Sequence, residues 1–304
     1  MEIYKHLLKS KKVVDNYFRE KKLCFLDIET TGLSRKYNHI YLIGLIYFDE
    51  RKDNWYLTQF FANHTDEEED LLNKFNSFIE KFNLIITYNG DSFDIYRKVR
   101  VESPYIDIKN LKLKTIEESL GIFREDEYSG KDCINFYYQY MSRGDFLLKE
   151  KILKHNYDDL YYLVDILDFF KLIDDMKTVS VNFNNHKMVI KIKNIIISGD
   201  VFNISCNTSF IDENINIAYY QEGFNIIWQS TSMTIDLEVQ EGLVTPTKKA
   251  IFLNKKIFPY KFQLKDLSQY MVPDNIILLK VEDKYVMDNI KNIIKKLVYY
   301  VKQQ

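Results

Sequence analysis

The 304-residue chain is 46% hydrophobic and 28% charged, a balance that excludes a disordered or fibrous protein and allows one large or two ordinary domains. No window approaches the roughly eighteen uncharged apolar residues of a membrane span, and residues 1–22 lack the apolar core of a secretory signal, so a soluble, cytoplasmic protein without membrane partners is expected. The net charge of −2 conceals a contrast. Residues 1–175 carry 26 Lys and Arg against 32 Asp and Glu, residues 176–304 carry 16 against 12, and residues 241–304 alone carry 12 against 6, a basic excess that attracts phosphates. The three cysteines, Cys24, Cys133 and Cys206, are too scattered for a disulfide framework or a zinc site and read as packing residues.

In chain order, residues 3–20 place Leu7, Leu8, Val14 and Phe18 at spacings that predict a helix, making 1–21 an N-terminal helical segment. Then comes Cys24-Phe25-Leu26-Asp27-Ile28-Glu29, an apolar strand holding two carboxylates. Strand side chains alternate, so Asp27 and Glu29 project from one side with Cβ atoms roughly 6.5 to 7 Å apart. That span suits divalent ions, and two such ions about 3.5 to 4 Å apart activate a water and stabilise the leaving oxygen of a phosphodiester. Thr30-Thr31-Gly32-Leu33 is a turn, and the apolar run 40–48, the charged turn 49–53 and the run 55–61 complete an antiparallel meander.

The acids at 66–70 open a helix through Leu71, Leu72, Phe75, Phe78 and Ile79, favoured there by the helix dipole. A buried strand at 84–87 leads into a turn and a helix carrying Asp94 in its first turn. Residues 105–108 read as a strand. Thr115 to Glu118 fits a capping box and Gly121 a helix stop, and further helices are expected over 131–141 and 145–170. The order of meander, helix, strand, helix, strand and helices is that of an α/β fold: a ribonuclease H-like mixed sheet flanked by helices over residues 22–174.

Three segments, Phe25-Leu26-Asp27-Ile28-Glu29-Thr30-Thr31-Gly32-Leu33, Tyr88-Asn89-Gly90-Asp91-Ser92-Phe93-Asp94 and His155-Asn156-Tyr157-Asp158-Asp159-Leu160, resemble the three exonuclease motifs of the DEDD (DnaQ-like) nucleases. Together with Lys114-Thr115-Ile116-Glu117-Glu118-Ser119-Leu120-Gly121-Ile122 and Ile134-Asn135-Phe136-Tyr137-Tyr138-Gln139-Tyr140, they are most similar to the YprB-like family of ribonuclease H-like exonucleases, over about residues 22–172. The resemblance implies that Asp27, Glu29, Asp94 and Asp159 hold two Mg²⁺ or Mn²⁺ ions and that His155 deprotonates or orients the attacking water. It also implies that Thr30, Thr31 and Leu33 meet the terminal nucleotide. His155 and Asp159, four apart on a helix, stack on one face, and an imidazole exchanges protons near neutral pH. Better-known members have either His with four residues intervening before the acid or Tyr with three; this chain has His with three intervening. Tyr161 and Asp165 also fit the Tyr spacing but lie about 120° round the helix, so only one pair can face the site; the motif assigns His155 and Asp159.

The activity these residues imply is two-metal 3′–5′ exonuclease hydrolysis of single-stranded DNA or RNA. The alternatives are a catalytically silent nucleic-acid- or partner-binding module, or an endonuclease on the same fold. Beyond residue 175, strand-like runs around 188–193, 202–206, 215–220, 224–229, 234–239 and 250–253, with turn signals at 221–223 and 240–242, predict a smaller β-rich sandwich or barrel closed by a helix over 286–301. No catalytic constellation is visible in this second domain, 175–304.

Overall fold

The computed structural model describes residues 1–8, 22–34, 36–90, 93–124, 128–183, 186–209, 215–259 and 262–302. The chain divides into two compact units: Met1–Arg100 with Ile108–Phe169, and Val101–Asp107 with Phe170–Gln304.

The first unit is built on a six-stranded mixed sheet of β1 (Glu2–Leu8), β2 (Leu23–Thr30), β3 (Ile40–Asp49), β4 (Asn54–Phe61), β5 (Leu84–Thr87) and β6 (Phe93–Asp94), in the order β1-β4-β3-β2-β5-β6. The first four pair antiparallel as a meander with β1 added at its edge; β5 and β6 run parallel to β2. Its helices are α1 (Glu68–Ile79), α2 (Ile95–Glu102), α3 (Leu113–Ser119), α4 (Gly130–Arg143) and α5 (Phe146–Leu163). β3 is apolar almost throughout because both of its faces are covered. Ile43, Leu45 and Tyr47 pack toward α1 with Leu71, Phe75 and Phe78, while Tyr41 and Leu42 join Tyr137 of α4 and Ile152 of α5.

Several local expectations change. Residues 2–8, expected to begin a helix, are a strand: the exposed ladder of β4 pairs with all seven of them, and tertiary pairing overrides helical spacing. The remainder of that helix, from residue 9 on, lies outside the described residues. Residues 105–108 form no strand; Ser103–Tyr105 is a 3₁₀ turn with Pro104 in its first turn. The capping box at Thr115 is absent because α3 starts earlier, and the Thr115 hydroxyl donates instead to Asn110 Oδ1 at 2.8 Å. The single helix over 145–170 is two, α5 and α6 (Leu167–Met176), separated by a turn in which Asp165 N–H donates to Tyr162 O.

The second unit contains β7 (Thr178–Phe183), β8 (His186–Ser198), β9 (Val201–Thr208), β10 (Asn216–Gln221), β11 (Phe224–Gln229) and β12 (Ser232–Glu238) in one antiparallel sheet, order β10-β11-β12-β9-β8-β7. A second antiparallel sheet holds β13 (Gln240–Leu243), β14 (Lys249–Asn254), β15 (Ile276–Val281) and β16 (Lys284–Tyr285). Gln221-Glu222-Gly223 makes the expected turn, whereas 240–242 is strand. The larger sheet is open, with β10 and β7 at its edges, so no barrel closes. The terminal helix α7 (Met287–Val301) does more than close the chain: Ile290, Ile293, Ile294, Leu297 and Val298 share one core with Trp228 and Ile235 of the larger sheet and Leu279 of the smaller.

One glycine sets how closely α5 meets the sheet of the first unit. Gly44 stands opposite Asp27 in the β2–β3 ladder, and a Cβ there would lie 2.2 Å from Asn156 Oδ1 and 2.4 Å from Leu160 Cδ1, both on α5. Gly44→Ala is therefore expected to lower stability by about 2 kcal/mol or more, as overpacking does. Urea unfolding followed by circular dichroism checks this; an unchanged midpoint would mean that α5 is not seated on Gly44.

Candidate functional site

β2 places Asp27 and Glu29 on the face that α5 crosses, and a register shift at Glu29/Thr30 ends the regular ladder beside them. α5, its N-terminus capped by the Asp145 side chain accepting from Leu147 N–H, brings His155, Asn156 and Asp159 onto those acids. Asn156 is fully buried and joins the two elements: its Nδ2 donates to Asp27 Oδ2 at 2.8 Å, and its Oδ1 accepts from Gln59 Nε2 at 2.9 Å. Gln59 also donates to Leu153 O at 2.8 Å, so one side chain of β4 holds the helix at two points.

Oxygens of Glu29 and Asp159 and a ring nitrogen of His155 all lie within 4.8 Å of one another. His155 Nε2 is 3.8 Å from Glu29 Oε1 and 3.7 Å from Asp159 Oδ2, and the three side chains are 12%, 9% and 21% exposed for Glu29, His155 and Asp159. Burial, then the charge of Asp159, pushes the Asp27 carboxyl up to about 7, against the opposing hydrogen bond from Asn156. Glu29 is raised too, by burial and by the charges of Asp27 and Asp159. Carboxylates crowded with an imidazole in this way form a donor set suited to a divalent cation, which would relieve their repulsion.

Asp94 occupies a different local role. The parallel ladder registers Leu26 with Thr87 and Thr87 with Asp94, which puts its Cα two strand spacings, about 10 Å, from that of Leu26. Its carboxylate accepts from Asn89 N–H at 2.8 Å and Tyr96 N–H at 2.9 Å and lies 3.2 Å from Arg97 Nε, so it caps α2 and is outside the Glu29–His155–Asp159 group. In the turn after β2, Thr31 is buried, its Oγ1 accepting from His39 N–H, and Thr30 Oγ1 donates to Gly32 O. Leu33 is fully exposed four residues beyond Glu29. Asp158 pairs with Lys154 on α5. Tyr161 stacks on Tyr157, and Asp165 lies beyond the end of α5, so those two no longer share a helical face.

Residues 24–170 match the RNase_H_2 family model, described as RNase_H superfamily. This part of the chain has a ribonuclease H-like fold. No curated protein matches the chain. The match gives the ribonuclease H-like domain a nuclease-type fold, with β1 and the two sheets of the second unit outside it. No helix among the described residues is long and apolar enough to cross a membrane.

Three residues of this domain, Gly44, Gln59 and Arg124, escaped the motif reading, and a fourth, Glu117, lay in a quoted segment with no role assigned to it. Gly44 carried a signal, since a lone glycine in an otherwise apolar strand marks a close backbone approach. Gln59 looked like any polar strand residue. Arg124 and Glu117 form a buried ion pair at 2.8 Å, and Arg124 Nη1 reaches Asp159 Oδ1 at 2.5 Å; nothing in their spacing announces it.

The raised Asp27 has a definite consequence for stability. Its folded-state pKa exceeds that of an unfolded aspartate, so the folded protein holds the extra proton. The metal-free protein loses stability as pH rises from about 4 through about 7. Asp27→Asn is expected to stabilise the metal-free protein at pH 8 by on the order of 2 kcal/mol and to have little effect at pH 4. Thermal unfolding in EDTA across that range measures the difference; a variant less stable than wild type at pH 8 would contradict the crowded-acid picture.

Proposed function

We propose that this protein is a divalent-metal-dependent nuclease that removes nucleotides from the 3′ end of single-stranded DNA or RNA. The observation that carries the reading is the grouping of Glu29 from β2 with His155 and Asp159 from α5, with the Asp27 carboxyl beside them on β2 and raised by burial and by the charge of Asp159. A cation held by Asp27, Glu29 and Asp159 would supply Lewis-acid stabilisation of the phosphoryl oxygens and acidify a water. Asp94, whose Oδ1 caps α2 and whose Oδ2 accepts no hydrogen bond among the described residues, would complete the donors for a second ion through Oδ2.

The chain's own groups account for the other steps. His155, between Glu29 and Asp159, accepts the proton of the attacking water at Nε2. The oxygen of that water bonds to phosphorus as the bond to the 3′ oxygen of the penultimate nucleotide breaks, and that oxygen takes a proton from solvent. Asn156 fixes the Asp27 carboxylate so that it need not reorganise during the reaction. Leu33, exposed on the turn after Glu29, is placed to wedge against the last base, and the basic excess of residues 241–304 suits a polyanionic strand.

A 5′-labelled strand of about 20 nucleotides with Mn²⁺ is expected to give a descending ladder, with a circular strand left intact. Asp27→Asn and Asp159→Asn should each lower the rate about 100-fold or more, and Asp165→Asn should leave it near normal. Cleavage of the circle would make the protein an endonuclease, and no product with any divalent ion would leave a binding module. Equal losses in the Asp159 and Asp165 variants would remove His155 and Asp159 from the site.

A further inference from the structure

Arg124 follows α3 and is almost entirely buried, its side chain 6% exposed. Its Nε lies 2.8 Å from Oε2 of Glu117, which is fully buried on α3, and its Nη1 contacts Asp159 Oδ1 at 2.5 Å. The guanidinium also sits 5.7 Å from the Tyr162 ring centroid. A permanently charged group is thus anchored from behind by one carboxylate and applied in front to another, and that second carboxylate belongs to the Glu29–His155–Asp159 group. Burying an arginine in this way is costly without opposite charge beside it, and here a carboxylate stands within ion-pair distance of Nε and another of Nη1.

We propose that Arg124 is an internal counter-ion that competes with a divalent cation for Asp159, holding the metal-free site neutralised and setting the affinity with which it loads. The inference rests on the metal-dependent reading of this site. With Arg124 on Asp159, one carboxylate oxygen is engaged and a positive charge stands beside the place a cation would take. Two positive centres a few ångströms apart repel strongly in a partly buried site. Loading therefore requires Arg124 to give up Asp159. Glu117 makes that exchange feasible, because the guanidinium keeps one buried carboxylate partner when it lets go of the other.

The direction of the effect separates this role from a structural one. Loss of a purely structural ion pair disorders the site and weakens metal binding; loss of a competitor tightens it. Arg124→Gln alone removes the guanidinium that faces the buried Glu117 carboxylate, so the folded test protein is the double variant Glu117→Gln/Arg124→Gln, checked by circular dichroism. Arg124→Lys, which keeps a positive charge, is the rescue variant. Mn²⁺ is titrated into each metal-free full-length protein at fixed pH and ionic strength, with binding followed by calorimetry and by the loss of free-ion electron paramagnetic resonance signal. The double variant should bind Mn²⁺ about ten-fold more tightly or better than wild type, and the lysine variant should fall between them. Unchanged or weaker binding in the folded double variant overturns the proposal, as does an absence of Mn²⁺ binding in every variant. Asp159→Asn distinguishes the two failures. If wild type binds and Asp159→Asn does not, the metal-dependent reading stands and only the role of Arg124 falls; if no protein binds Mn²⁺, both fall.

Discussion

Everything at the site depends on how one helix is held across a sheet by a single buried asparagine. Asn156 uses both ends of its amide, giving Asp27 a donor and accepting one from Gln59. It can approach only because the facing position on β3 is Gly44. A buried amide with unmatched ends is strongly unfavourable, so α5 has little freedom to slide or rotate without breaking that contact. Because α5 carries His155 and Asp159 one turn apart, fixing Asn156 fixes both against Asp27 and Glu29. The geometry of the proposed site and the helix–sheet packing are here the same constraint.

The electrostatics follow from that packing. Carboxylates from two elements are pressed together and partly removed from water, which raises Asp27 and Glu29 and leaves the site short of positive charge. The chain supplies some of that charge itself through Arg124, held between Glu117 and Asp159. The site is therefore strained toward any cation that can enter.

Much of this was legible in the sequence because the informative signals are local. Alternation along a strand put Asp27 and Glu29 on one side, and the spacing of four in a helix stacked His155 with Asp159. The sheet order could be read from meander and helix punctuation. What was not legible depends on contacts between distant segments. Residues 2–8 look helical until the free edge of β4 is available to pair with them. Asp94 sits at the expected place in the sheet, yet its Oδ1 accepts from the N–H groups of Asn89 and Tyr96 while Oδ2 faces Arg97, a division of labour that spacing cannot report. Arg124 reaches Asp159 across 35 positions, and α7 shares its unit's core with residues of both sheets.

The central claim is that α5 and β2 together form a cation site. Anomalous diffraction from crystals soaked in Mn²⁺, measured at the manganese edge, tests it most directly. A peak within about 2.0 to 2.4 Å of carboxylate oxygens of Asp27, Glu29 or Asp159 is the predicted result. An ordered site with those three side chains in place and no peak among them, or a peak only elsewhere, would contradict it.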